Sequence, residues 1–207
     1  MTPLRLGIIA SHGGSNLQAI IDAAKTGRLH AVPCVVISNN GDSYALRRAR
    51  NEEIPAYHLS ARTHAEPEAL DEAILQALVT HAVEVVVLAG YMKKLGPRTL
   101  HHFSGRILNI HPALLPKYGG QGMYGRHVHE VVLAAGEKNS GVTIHLVGED
   151  YDTGPIIAQC EVPVCAGDTA DTLAERALQR EHTFYVETLQ GISAGSIKLP
   201  GLIMELS

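Results

Sequence analysis

Charge is scarce in this sequence. Asp, Glu, Lys and Arg make up 18 % of its 207 residues, against about a quarter in an average globular chain. Much of the chain is therefore expected to be packed. The longest basic runs are the pairs Arg47-Arg48 and Lys93-Lys94, and the net charge is −4. A nucleic-acid partner needs a basic stripe, and none is written here. Cysteine is sparse too. Cys34, Cys160 and Cys165 are odd in number and fit no zinc spacing. Cys34 and Cys160 fall in apolar runs, which suits buried thiols in a reducing compartment. No apolar run approaches the length of a bilayer span. The start, Met1-Thr2-Pro3-Leu4-Arg5, lacks the anatomy of a secretory signal. A cytoplasmic location, away from membranes, is expected on these grounds. The twelve histidines include His101-His102 and His127-x-His129, but no helical zinc pair four apart and no cysteine or acid pattern to complete one. No metal is expected.

What is present is a chain with 45 % apolar residues, enough for a real core, and without repeats, low-complexity tracts or an evident linker. One domain is expected. Short apolar runs alternate with helical patterns. Strands are expected at 4–10, 31–38, 56–58, 83–89 and 107–110, with helices after Asn16 up to Gly27 and at 44–51, 67–81 and 97–103. The second half adds a helix at 127–135, strands at 142–147 and 156–162, and a long helix at 172–189. A terminal hairpin of 197–199 with 202–206 is expected beyond Gly191. This alternation predicts an α/β fold: a doubly wound, mostly parallel sheet, binding ligands beyond the carboxyl ends of its strands.

Two segments at strand ends carry polar groups. Ser11-His12-Gly13-Gly14-Ser15-Asn16 lies between the first strand and the first helix. Helix-start amides carry partial positive charge, so Gly14, Ser15 and Asn16 form either a phosphate cradle or a simple helix cap. No Gly-Lys-Ser/Thr follows, and G-x-G-x-x-G is absent. The second strand ends in Ser38-Asn39-Asn40, without the acid that a dinucleotide ribose calls for, so a nicotinamide cofactor is disfavoured. The second segment is Asn109-Ile110-His111-Pro112-Ala113-Leu114-Leu115-Pro116. Strand alternation puts Asn109 and His111 on one side and Leu108 and Ile110 on the other. A neutral donor, an imidazole and a nearby carboxylate can handle a tetrahedral intermediate. Glu149, Asp150 and Asp152 crowd together later, and composition alone does not choose among them.

Asn109-to-Pro116, followed by Asp152-Thr153-Gly154-Pro155-Ile156, resembles the folate-dependent formyltransferase family over nearly the whole chain. The resemblance implies a Rossmann-like formyltransferase fold. Residues 1–100 would be a phosphate-binding half and residues 101–207 a half that completes the catalytic and folate sites. It implies transfer of the formyl group of 10-formyltetrahydrofolate, as co-substrate, to the amine of a phosphoribosyl glycinamide acceptor in purine synthesis. It assigns Asn109, His111 and Asp152 to catalysis, with His145 behind them. Gly14, Ser15 and Asn16 would hold the acceptor phosphate and Glu181 its ribose. Leu88, Met92, Lys93, Leu95 and Ile107 would line the pterin site. Mutual repulsion among the three acids, plus burial, is expected to raise the Asp152 pKa.

Relatives in this family also formylate initiator methionyl-tRNA or amino sugars, or hydrolyse formyl-folate. They carry added domains for which this chain has little room. A nucleotide- or folate-binding module without catalysis is the remaining alternative, and it requires Asn109, His111 and Asp152 to lie apart. Three positions depart from the family pattern: Pro67 replaces an arginine, Leu178 a polar phosphate contact, and Lys94 a hydrophobic residue. The loop from Lys117 to Gly125 is long and holds four glycines, which points to a lid closing over substrate.

Overall fold

The most β-branched run of the chain becomes the middle of a seven-stranded sheet. The structure is a computed structural model and describes residues 2–202. Strands β1 (Leu4–Ile9), β2 (Ala31–Ser38), β3 (Ala56–His58), β4 (Val85–Leu88) and β5 (Ile107–His111) are parallel. Strands β6 (Asn139–Leu146) and β7 (Ile156–Pro163) run antiparallel to their neighbours. The order is β3-β2-β1-β4-β5-β6-β7. The chain winds outward in opposite directions from the β1–β4 pair, so a crevice opens beyond the carboxyl ends of those two strands.

Helices α1 (Ser15–Lys25), α2 (Tyr44–Asn51), α3 (Pro67–Thr80), α4 (Pro97–His102), α5 (Arg126–Ala134) and α6 (Ala170–Ser193) cover the two faces. Side-chain alternation along the buried strands feeds two cores. Val85 and Val87 join Leu17, Val128, Leu173 and Tyr185 on one face. Val86 and Leu88 join Ile74, Leu78 and Phe103 on the other. Both faces are therefore dry, as parallel strands require, and the chain forms one α/β domain. Among the described residues no helix is long and apolar enough to cross a membrane.

The differences from expectation lie at the ends of elements. The long helix does not stop before Gly191; it continues to Ser193. Gly191 is there for close approach instead: a Cβ would meet the Ile197 side chain at 2.8 Å. The left-handed stop is Gly195, with φ +75°, where a glycine costs least. Residues 197–199 are not a strand. Leu199 is buried and Ile197 packs beside it on the first core, so their apolarity serves packing rather than pairing. The partner strand expected at 202–206 lies, past Leu202, outside the described residues.

Candidate active site

Strand β5 ends at the crevice, and its last residues are Asn109 and His111. Antiparallel β6 pairs Asn109 with His145 and His111 with Thr143. Direct pairing puts the two side chains of each pair on the same face, and the Asn109 amide Nδ2 donates to His145 Nε2 at 3.1 Å. Thr143 holds the chain that leaves β5. Its hydroxyl donates to the Ala113 carbonyl at 2.6 Å and accepts from the Leu115 N–H at 3.1 Å. Leu108 and Ile110 turn into the first core, as strand alternation requires.

Asp152 arrives on the segment between β6 and β7. It adopts φ +55°, an uncommon conformation for a non-glycine residue. Gly154 makes the geometry attainable: a Cβ there would run into the Leu146 carbonyl oxygen. The Leu146 N–H donates to the Pro155 carbonyl at 2.9 Å and closes the segment. The carboxylate lies between two imidazoles, 3.5 Å from His111 Nδ1 and 3.4 Å from His145 Nε2, and accepts from the Gly120 N–H at 3.0 Å.

Hydrogen-bond partners fix both tautomers. His111 Nε2 is 2.7 Å from the Tyr118 carbonyl, and His145 Nδ1 is 2.9 Å from the Leu146 carbonyl. A carbonyl only accepts, so these two nitrogens carry the protons. In the neutral rings the nitrogens facing Asp152 are bare. Burial lowers the His111 pKa from its ordinary value, and the Asp152 charge offsets only part of this. Burial pushes the Asp152 carboxyl up, but His145, His111 and the Gly120 N–H more than offset it. Its pKa is therefore lowered, against the expected rise. The repulsion argument fails because Glu149 and Asp150 are exposed, while Asp152 turns inward to two imidazoles.

A cavity of about 920 Å³ opens in front of this group. Gly14, Ser15 and Asn16 line one end, and Glu181, Leu178 and Ala174 of α6 line one wall. Gly14 is left-handed at φ +66° and caps α1 without a side-chain hydrogen bond. A Cβ there would press on Ala45 at 2.9 Å. The reading of Ser and Asn as a plain cap therefore loses its support. The Asn16 amide instead donates to Glu181 Oε2 at 2.7 Å, and Asn16 Oδ1 is buried without a partner. Burial raises the Glu181 pKa to about 7, although the Asn16 bond works the other way.

A smaller pocket of about 60 Å³ adjoins the cavity. Leu88, Lys93, Lys94 and Leu95 line one side of it, and residues 147–152 the other. Asn109, Asp152, Tyr91, Lys93 and Tyr151 line both spaces. The polar group thus sits where the two spaces meet.

Of the residues singled out in the sequence, Asn109, His111, Asp152 and His145 converge. Gly14, Ser15, Asn16 and Glu181 gather at the far end, and Leu88, Met92, Lys93 and Leu95 line the cavity or its side pocket. Ile107 is different. It is 1 % exposed and packs in the second core with Phe103 and Val86, because it shares the face of Asn109 but lies two residues back from the strand end, where that face is covered. Sequence reasoning passed over Tyr91 and Tyr151, and weighed His129 only as a metal ligand. Tyr91 adjoins the strand end already singled out, and burial raises its pKa to about 12. His129 is buried on the cavity wall with Nδ1 unpartnered, and burial together with His111 lowers its pKa. No spacing rule marks it.

Comparison with known proteins identifies the family. The model of a family described as formyl transferase matches residues 4–189. The chain is 39 % identical over 196 residues to a phosphoribosylglycinamide formyltransferase of Escherichia coli, covering 95 % of this chain and 90 % of that one. It is 42 % identical over 189 residues to the chloroplastic phosphoribosylglycinamide formyltransferase of Vigna unguiculata, covering 91 % of this chain and 60 % of that protein. The crystal structure of glycinamide ribonucleotide transformylase 1 from Symbiobacterium toebii superposes with a TM-score of 0.88 at 37 % identity, over 100 % of this chain and 95 % of that one. A match across most of the sequence, at this level of identity and with the same fold, makes the chain a member of the formyl transferase family.

Proposed function

We propose that this enzyme moves the formyl group of 10-formyltetrahydrofolate to the amine of phosphoribosylglycinamide, a step of purine synthesis. One observation carries the reading: Asn109 and Asp152 line both the side pocket and the large cavity. A donor and an acceptor lodged in separate spaces would meet at these two residues.

The acceptor phosphate is assigned to the uncapped α1 amides at Gly14, Ser15 and Asn16. Dipole and free N–H groups both favour an anion there. The ribose hydroxyls are assigned to Glu181 and to the unpartnered Asn16 Oδ1, which needs a donor. The pterin is assigned to the side pocket by Leu88, Lys93 and Leu95, with Met92 at the cavity. Residues 1–100 then supply the phosphate end, and 101–207 the catalytic end. The three unpaired thiols support a reducing compartment, and we place the enzyme in the cytoplasm.

Attack of the amine on the formyl carbon creates an oxyanion and an acidic ammonium. One Asn109 N–H is spent on His145, which orients the amide; the second is left for the oxyanion. The bare His111 Nδ1 beside Asp152 accepts the amine proton. The resulting imidazolium opposes the oxyanion charge, and the proton returns to the leaving folate nitrogen. His145 accepts from Asn109 and fixes the orientation of its amide. Asn109→Ala, His111→Ala and Asp152→Ala should each cost at least ~10² in turnover, the scale of one positioned catalytic group. A coupled absorbance assay with both substrates measures this. Wild-type turnover in all three variants sinks the assignment, and formate release without acceptor consumption points to hydrolysis instead.

A further inference from the structure

Lys94 stands at the mouth of the side pocket. Its ammonium reaches across to the opposite wall and makes three contacts with one short segment. Nζ donates to the Glu149 carbonyl at 2.8 Å, lies 3.8 Å from the Asp150 carboxylate, and sits 4.9 Å from the centre of the Tyr151 ring. The next residue is Asp152. The segment carries three carboxylates within four positions, Glu149, Asp150 and Asp152. Glu149 and Asp150 are exposed, and a single bridging cation ties their segment to the opposite wall. A carbonyl, a carboxylate and an aromatic face at once are more than a solvated lysine needs.

We propose that Lys94 is a positioning residue that latches segment 149–151 across the mouth of the side pocket. The latch sets the outer wall against which a pterin would lie and holds the chain that delivers Asp152. An aliphatic residue at this position has no such reach. The inference rests on reading the side pocket as the folate site.

The test compares Lys94→Met, which keeps the length and loses the charge, with Lys94→Arg, which keeps a donor able to stack on Tyr151. Hydrogen exchange of the substrate-free protein should speed up in residues 149–152 of Lys94→Met and not in Lys94→Arg. In steady-state assays Lys94→Met should raise the KM for 10-formyltetrahydrofolate about five-fold, with the acceptor KM within about two-fold of wild type. Lys94→Arg should restore most of the loss. In a double-mutant cycle Asp150→Asn should cost less in the Lys94→Met background than in wild type.

Direct contact between Lys94 and the glutamate tail of the folate predicts something else. The loss would then vanish with 10-formyltetrahydropteroate, which lacks that tail. The latch predicts the same loss with either donor. Unchanged exchange in Lys94→Met, or a loss confined to the glutamate-bearing donor, overturns the inference. If wild type does not use a formyl-folate at all, the folate reading fails, while the exchange measurement still decides whether the latch exists.

Discussion

Replacing Glu181 by glutamine removes a carboxyl that the fold holds near neutrality. Its pKa rises from 4.5 to about 7 on folding, because burial outweighs the Asn16 hydrogen bond. The unfolded chain titrates near the ordinary value, so between the two the folded protein keeps a proton that the unfolded chain has lost. For an acid whose folded pKa is the higher, stability falls as pH rises through that window and stays low above it. Each unit of difference corresponds to about 1.36 kcal/mol. Ionised Glu181 therefore costs the fold about 3 kcal/mol at pH 8, about 2 at pH 6 and under about 1 at pH 5. Glutamine keeps the shape and one oxygen to accept from Asn16, and it does not titrate. Urea unfolding of Glu181→Gln and wild type at pH 5 and pH 8 isolates the effect, since the other groups titrate alike in both. The variant should gain about 2–3 kcal/mol more at pH 8 than at pH 5, roughly 5–10 °C in Tm for a chain of this size. The same substitution should raise the acceptor KM about ten-fold, the scale of one charge-assisted hydrogen bond to ribose, and leave the folate KM unchanged. A stability gain equal at both pH values would refute the burial argument. An unchanged acceptor KM would refute the ribose assignment and leave the stability result standing.

Two further substitutions probe the ends of the site. Leu178 is 39 % exposed and lines the cavity one turn before Glu181. Leu178→Gln should lower the acceptor Kd by about three- to ten-fold, by adding one polar contact to the phosphate, with little change in stability; isothermal titration with the acceptor alone reads it, and weaker binding would argue against a phosphate at this wall. Gly154→Ala forces the chain away from the Leu146 carbonyl and displaces Asp152. Turnover should fall more than about ten-fold and stability by roughly 2–3 kcal/mol; normal kinetics would show that Asp152 does not depend on this close approach.

Strand and helix identities were legible wherever one local rule settled them. β2, α2 and β3 match their expected bounds, because Pro33 aside their sequences carry clean apolar or helical patterns ended by turn residues. β4 is shorter than its apolar run, since Ala82 takes a left-handed φ of +48° and the strand hydrogen bonds begin beyond it. The C-terminal end was misread because one residue type serves two physical purposes. Gly191 permits close packing and Gly195 permits left-handed backbone, and sequence alone shows only two glycines. The same holds at the site. The spacing of Asn109 and His111 told that they share a face, but the antiparallel turn of β6 decided that His145 would lie beside them. That pairing also inverted the Asp152 expectation. In sequence its neighbours are acids; in space they are two imidazoles, each with its outer nitrogen committed to a backbone carbonyl. Ile107 fails for a related reason: it lies two residues before Asn109 on the same strand face, yet only the end of a strand reaches the crevice, and two residues earlier the same face is core. Chemistry was therefore readable where residues adjoin a strand end, and hidden where it depends on which strand comes alongside.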